Sequence, residues 1–286
     1  MHNVPTEILS LVLNYLDLTD LSRTARCCKR LHQLANEKLY ETLRLQIKMH
    51  GPDDQTAKVL GTLLQNPRLR EPLRHIDVQF DEDSLWTQSH SRLLAISLMQ
   101  ILKPDRGVHE GRKGAAGNLL NGTALHHLRH LSLSYINVAA LQPSRISRLE
   151  SLELYGCAGV EEFLDRLANE VPSSLRVVRI TAHSKSGRSR AYTAWLRSAQ
   201  NVENITLCIG GLARVIPLDD IGAHGSTLRT LILDARRNLW DPASVCAYSP
   251  DDLRRVVNMC CRLRILGMPI DLRDYQRQRY TRSPQL

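Results

Sequence analysis

The chain has 286 residues, with 38 Lys and Arg against 29 Asp and Glu and a net charge of +9. Its apolar fraction of 43% is that of a globular protein and argues against a disordered chain. No run of about 18 uncharged apolar residues occurs, and Glu7, Asp17 and Asp20 interrupt the place where a signal peptide carries its apolar segment; the expectation is an intracellular protein of cytoplasm or nucleus, with no membrane contact.

The first segment is amphipathic. Pro5 and Thr6 open it, and Ile8, Leu9, Val12, Leu13 and Leu16 recur at helical spacing as one apolar face. Asp17-Leu18-Thr19-Asp20 breaks the pattern, and Thr19 or Asp20 is the expected cap of a second helix. That helix carries Leu21, Thr24, Ala25, Cys28 and Leu31 on one side, and a third runs from about Leu34 to Thr42. Three short helices bury only a small core, so apolar surface is left over for a partner.

These residues resemble the F-box. Val4-Pro5-Thr6-Glu7-Ile8-Leu9 is similar to that family's Leu-Pro-x-Glu-Ile/Leu-Leu opening, Tyr15-Leu16-Asp17 and Asp20-Leu21 to its centre, and Cys27-Cys28-Lys29-Arg30-Leu31 to its closing run. Val4 stands where the family has leucine and Leu31 where it has an aromatic residue; both stay apolar with less contact area. The resemblance implies an F-box over residues 1–46 that docks onto the Skp-family adaptor of an SCF-type cullin–RING ubiquitin ligase. The contacts it implies are Val4, Pro5, Ile8, Leu9, Leu16, Asp20, Leu21, Cys27 and Leu31.

Behind this module a hexad of the form apolar-x-x-apolar-x-apolar recurs. It stands at Leu73-Ile76-Val78, Leu128-Leu131-Leu133, Leu149-Leu152-Leu154, Leu175-Val178-Ile180, Val202-Ile205-Leu207, Leu228-Leu231-Leu233 and Leu263-Leu266-Met268, with an earlier instance at Tyr40-Leu43-Leu45. From residue 128 the starts are separated by 21, 26, 27, 26 and 35 residues. Such spacings match a leucine-rich repeat. Helical stripes lie between hexads: Val160, Phe163, Leu164, Leu167 and Val171; Trp195, Leu196 and Ala199 after Tyr192; and Leu253, Val256, Val257 and Cys260 after Pro250. No unit covers its own apolar face, so neighbours must stack.

The expected fold class is therefore α/β: a three-helix F-box followed by a leucine-rich-repeat solenoid over residues 47–270, with parallel strands on the concave face and helices outside. The whole resembles F-box/leucine-rich-repeat proteins of fungal type. Leu93 to Leu102 reads as a helix, 103–122 as a flexible insertion, and 271–286 as a basic tail with Arg273, Arg277, Arg279 and Arg282 beside Tyr275 and Tyr280. The last repeat lacks a polar cap, as a shortened chain would.

Residues alternating with the buried ones point out of the concave sheet. They are His75, Asp77 and Gln79; His130, Ser132 and Ser134; Ser151, Glu153 and Tyr155; Val177, Arg179 and Thr181; Asn204, Thr206 and Cys208; Thr230, Ile232 and Asp234. One arginine and no lysine among them is not the basic stripe that tracks phosphates, so nucleic acid is not the expected partner of this face. The candidate protein-substrate contacts are His130, Ser132, Ser134, Ser151, Glu153, Tyr155, Arg179, Asn204, Thr206 and Asp234. The positive charge lies in loops, including Lys185-Ser-Gly-Arg188-Ser-Arg190.

The seven cysteines have no Cys-x-x-Cys spacing and read as buried thiols, Cys27/Cys28 and Cys260/Cys261 in helix-like contexts. His126, His127 and His130 cluster, but His130 falls in a strand hexad, and Asp81-Glu82-Asp83 reads as a solvated loop. No phosphate loop, metal motif or nucleophile–base set is present. The expectation is a non-catalytic chain without cofactor or metal, an adaptor joining the ligase core to an unknown protein substrate. The alternatives are a leucine-rich-repeat scaffold without a ligase role and single-stranded RNA binding through the basic loops and tail.

Overall fold

The computed structural model describes residues 4–47, 55–80, 127–139, 141–237 and 245–271. The helix expected over 93–102, the 103–122 insertion, the acidic run at 81–83, His126 and the tail beyond Asp271 lie outside them. The chain divides into two compact units, Met1–Leu131 and Ser132–Leu286; the expected boundary at residues 46 and 47 falls inside the first.

The first unit opens with α1 (Thr6–Leu13), α2 (Leu18–Thr24) and α3 (Lys29–Leu39). The cap of α2 is Asp17, whose carboxylate accepts from the Asp20 N–H at 2.8 Å, rather than Thr19 or Asp20. An extended aspartate one residue ahead of the helix meets the third free N–H of the turn, which neither expected residue can do from inside it. The second helix is also shorter than expected. Cys28 is extended (φ −160°, ψ 163°) and precedes α3, so Leu31 belongs to α3, and Thr42 starts a strand. Leu13, Leu21, Ala25 and Ala35 form the core, with Leu16, Leu34 and Leu39 against it. Arg30 ties α3 to the start of α1 by donating to the Val4 carbonyl at 2.8 Å and the Thr6 hydroxyl at 2.9 Å.

Next come β1 (Thr42–Ile47), α4 (Gln55–Gln65), a 3-10 turn at Pro67–Arg70 and β2 (His75–Phe80). β1 and β2 are parallel, with Leu43 opposite Ile76 and Leu45 opposite Val78. The weak early hexad is thus in register with the next one. Leu43, Leu45, Leu73, Ile76 and Val78 are all buried.

The last residues of β3 (His130–Ser134) begin the second unit. Its elements are β4 (Ser151–Tyr155), α5 (Val160–Leu167), β5 (Val177–His183), β6 (Asn204–Gly210), the one-turn α6 (Asp219–Gly222), β7 (Thr230–Arg236), β8 (Val245–Cys246), α7 (Pro250–Met259) and β9 (Ile265–Gly267). β4, β5, β6, β7 and β9 form a parallel sheet in that order. Its register follows the hexads: Leu152, Val178, Ile205, Leu231 and Leu266 form one row, and Leu154, Ile180, Leu207 and Leu233 another. Side chains alternate about each strand, so these rows share one face. All but Leu266 are at most 1% exposed. Burial of each aliphatic side chain stabilises by about 1.5–3 kcal/mol, which locks the register, because a one-residue slip would turn every row to solvent. β8 pairs antiparallel to β7.

The connections are less regular than the expected strand–turn–helix unit. α5 and α7 are true helices, the latter with a reciprocal capping box between Ser249 and Asp252. Among the described residues, the link from β3 to β4 holds only a 3-10 turn at Pro143–Ile146. The helix expected around Trp195 is two 3-10 turns, Ser189–Tyr192 and Ala194–Arg197, interrupted at Thr193. Thr193 is fully buried and donates to the Asp220 carboxylate at 2.9 Å. Holding that contact takes its backbone out of helical geometry (φ −123°). Val257, expected inward on α7, is 55% exposed, while Val256 and Cys260 are buried.

Gly159 precedes α5 with φ +71°; a Cβ there would lie 2.5 Å from that of Ala139, so this entry to the helix requires glycine. His224 is 2% exposed, and its Nε2 lies 3.0 Å from the Leu196 carbonyl. Burial lowers its pKa from the ordinary 6.5, outweighing the raising effect of that hydrogen bond. The folded chain therefore keeps the ring neutral while the unfolded chain takes up a proton below pH 6.5. Stability from this site is complete above pH 6.5 and falls as pH drops through the lowered folded value. Chemical denaturation across pH 7.5 to 5 checks this (from about one unit above to about one and a half units below the ordinary histidine value). His224→Gln, which keeps an N–H donor, should flatten that part of the profile; an unchanged slope would count against His224 as its source.

Candidate functional site

In the first unit the wide apolar face read from α1 is split by packing. Leu13 turns inward, whereas Ile8 is 49%, Leu11 54% and Val12 54% exposed. Tyr15 (89%) and Leu18 (67%) extend this stripe through the turn into α2. The fold of residues 4–47 leaves each of these five side chains about half exposed or more, and exposed apolar side chains gathered on so small a helical module make it a candidate binding surface.

Of the expected adaptor contacts, Pro5, Ile8 and Cys27 are exposed, and Val4, Leu9, Leu16 and Asp20 are half-buried. Leu21 and Leu31 are buried at 5% and 8%. Leu21 belongs to the small helical core, and both residues expose little surface in the free chain. Leu11, Tyr15 and Leu18 were not among the expected contacts. Their signal was present: three apolar side chains flanking the Asp17 cap, more than three short helices can bury.

In the second unit the open face of the sheet carries rows of mixed character. Glu153, Arg179, Thr206 and Ile232 lie in one row, and Tyr155, Thr181, Cys208 and Asp234 in the next. Arg179 donates to Glu153 at 2.9 Å, and the Tyr155 hydroxyl donates to the same carboxylate at 2.9 Å. Desolvation, then the Glu153 bond, raises the Tyr155 pKa. Arg236 pairs with Asp234 at 2.6 Å. Cys208 beside that pair has its thiol pKa raised, first by burial and then by the Asp234 charge. Asn204, Thr206, Glu153, Tyr155 and Asp234 are half-buried on this face and Arg179 is exposed. Ser134 and Ser151, expected as contacts, are buried at 8% and 7%. So little of these small side chains is exposed that they offer almost no surface to a partner.

His130 and Ser132 are half-buried. In the first unit the His130 and His75 rings stack at 4.4 Å with 6° between planes. Among the cysteines only Cys157 and Cys260 are buried; Cys27, Cys28 and Cys261 are exposed, and Cys208 and Cys246 are intermediate. The vicinal pairs are not within helices: Cys28 precedes α3 and Cys260 ends α7. The Cys157 thiol, which donates to the Leu133 carbonyl, is pushed up to about 11 by burial, so it packs as a neutral small apolar group.

Glu161, at the start of α5, gathers the loop after β5. It accepts from the Ser184 hydroxyl at 2.5 Å, the Lys185 N–H at 3.1 Å and the Tyr192 hydroxyl at 3.2 Å. Although desolvation opposes it, hydrogen bonds from Ser184, Ser186 and Tyr192 hold its pKa below the ordinary value.

A family model described as F-box-like matches residues 1–46, so an F-box-like domain forms the N-terminal part of this chain. F-box domains generally bind Skp-family adaptors, and such a domain suggests in general the role of a substrate adaptor in an SCF complex. No curated protein matches the chain. Among the described residues no helix is long and apolar enough to cross a membrane.

Proposed function

We propose that this chain is a substrate-recognition subunit of an SCF-type cullin–RING ubiquitin ligase. The stripe of Ile8, Leu11, Val12, Tyr15 and Leu18 within the F-box-like domain, each about half exposed or more, is the observation that carries this reading. It docks the Skp-family adaptor and, through it, the cullin–RING core. The second unit is a leucine-rich-repeat arc whose open face binds a protein substrate. Support for that arc comes from hexads that recur in sequence and stand in register across β4, β5, β6, β7 and β9.

The chain contributes binding and no chemistry. It raises the effective concentration of a substrate lysine at the charged ubiquitin-conjugating enzyme. Purified Skp-family adaptor mixed with the full chain should form a stoichiometric complex on size-exclusion chromatography at micromolar concentrations, the regime of about −8 kcal/mol. Failure to co-elute there removes the ligase reading and leaves an interaction scaffold.

A further inference from the structure

The charge of the second unit is unevenly distributed. On the open face the arginines are matched, Arg179 by Glu153 and Arg236 by Asp234. At the carboxyl ends of β5, β6 and β7 they are not. The loop after β5 carries Lys185, Arg188 and Arg190, the loop after β6 carries Arg214, and Arg237 follows β7. All five are exposed, and none has an ion pair among the described residues.

Backbone hydrogen bonds fix these loops side by side. The Ser184 N–H donates to the Gly210 carbonyl at 2.8 Å, the Gly211 N–H to Arg237 at 3.2 Å and the Leu212 N–H to Arg236 at 2.9 Å. The segments 184–192 and 210–218 contain no acidic residue. Nearby carboxylates are largely engaged: Glu161 holds the loop after β5 and Asp234 holds Arg236, while Asp165 lines a small cavity of about 240 Å³ with Arg188 and Arg190. The result is a basic rim along one end of the sheet.

We infer that this rim binds an extended Asp/Glu-rich segment of a protein partner. Cations distributed over three strand ends, about 4.8 Å apart per strand, do not converge on a single dianion. They match carboxylates repeating along an extended chain, where same-side residues recur about every 6.6 Å. Single-stranded nucleic acid fits less well, because it needs exposed rings for base stacking. Tyr192, Trp195 and Tyr248 are at most 1% exposed, and Tyr155 at the end of β4 is half-buried with its hydroxyl bonded to Glu153. This inference deepens the substrate-binding role proposed for the second unit and rests on it.

The test is fluorescence anisotropy of a labelled alternating Glu-Ser peptide with the full chain at about 50 mM salt, where the screening length is still above 10 Å. The wild type should bind, less tightly as salt rises. The triple variant K185E/R214E/R237E should bind at least about tenfold more weakly, from three lost pairings of up to roughly 1 kcal/mol each. Arg148 and Arg262 are exposed and lie before β4 and β9, so R148E/R262E should bind like the wild type. Absence of binding, equal binding by the triple variant, or stronger binding of a uridine-rich RNA or of a singly phosphorylated peptide of equal length would overturn the inference. Circular dichroism of each variant confirms folding. Adaptor binding is measured separately, so failure here leaves the ligase reading standing, and failure of adaptor binding leaves this one.

Discussion

Ile8→Asp together with Val12→Asp abolishes binding of the Skp-family adaptor while leaving the thermal midpoint of the chain unchanged. Both side chains stand about half in water in the free chain, so the substitutions remove little from the folded core. In a docked complex each would be covered. Docking covers the remaining half of each side chain, so losing both anchors costs about 1.5–3 kcal/mol, roughly one to two orders of magnitude in affinity, before the desolvation of two carboxylates adds several kcal/mol more. The comparison variant is Leu21→Ala. Leu21 is 5% exposed within the small helical core, so this change should lower stability by about 2–5 kcal/mol and weaken adaptor binding only as far as it unfolds α2. Isothermal titration with a melting curve for each variant separates the two effects. If the double aspartate variant binds like wild type, the exposed stripe is not the docking face.

The same contrast shows what the sequence could and could not say. Hexads were legible because burial on a parallel sheet demands an apolar side chain at alternate positions, and all three members of the motif at Leu149, Leu152 and Leu154 are 0% exposed. The first helix was legible for the same reason. Which of its apolar residues face inward was not, since Ile8 and Leu13 look alike until Leu21, Ala25 and Ala35 close on one of them. Boundaries failed where a polar contact overrode periodicity, locally at the Asp17 cap and over a long range at Thr193, whose bond to Asp220 joins residues 27 apart in the chain. Serines on the open face failed for a simpler reason: alternation gives direction, not accessibility, and Ser151 points outward yet is 7% exposed. The rim of unmatched cations needed the structure, because the backbone bonds from Ser184 to Gly210 and from Gly211 and Leu212 to Arg237 and Arg236 bring three segments that are separate in sequence side by side.

Trp195→Ala is expected to be the most damaging single change in the second unit. The indole is 0% exposed and is the largest fully buried side chain of the described residues. Its Nε1 donates to the Tyr192 carbonyl at 2.9 Å, closing the short turn before Ala194–Arg197. Truncation removes the apolar area and opens a cavity, for about 3–5 kcal/mol, and strands the buried Tyr192 carbonyl at about 1–3 kcal/mol more. Against a typical domain stability of about 5–15 kcal/mol this is a large fraction, and it should lower the midpoint of the second unit by roughly 10 °C or more. Trp195→Phe keeps most of the apolar contact and loses the donor, so it should fall between. The 3-10 geometry sharpens the expectation: each turn has only a few backbone bonds, such as the Leu196 N–H to the Thr193 carbonyl at 2.9 Å, so the side-chain bonds of Thr193 and Trp195 are a large share of what holds it. Scanning calorimetry of the full chain should therefore show an early transition that leaves adaptor binding by residues 1–46 intact. A midpoint within a few degrees of wild type, about the shift of a 1 kcal/mol change, would mean that the turn is held by other contacts.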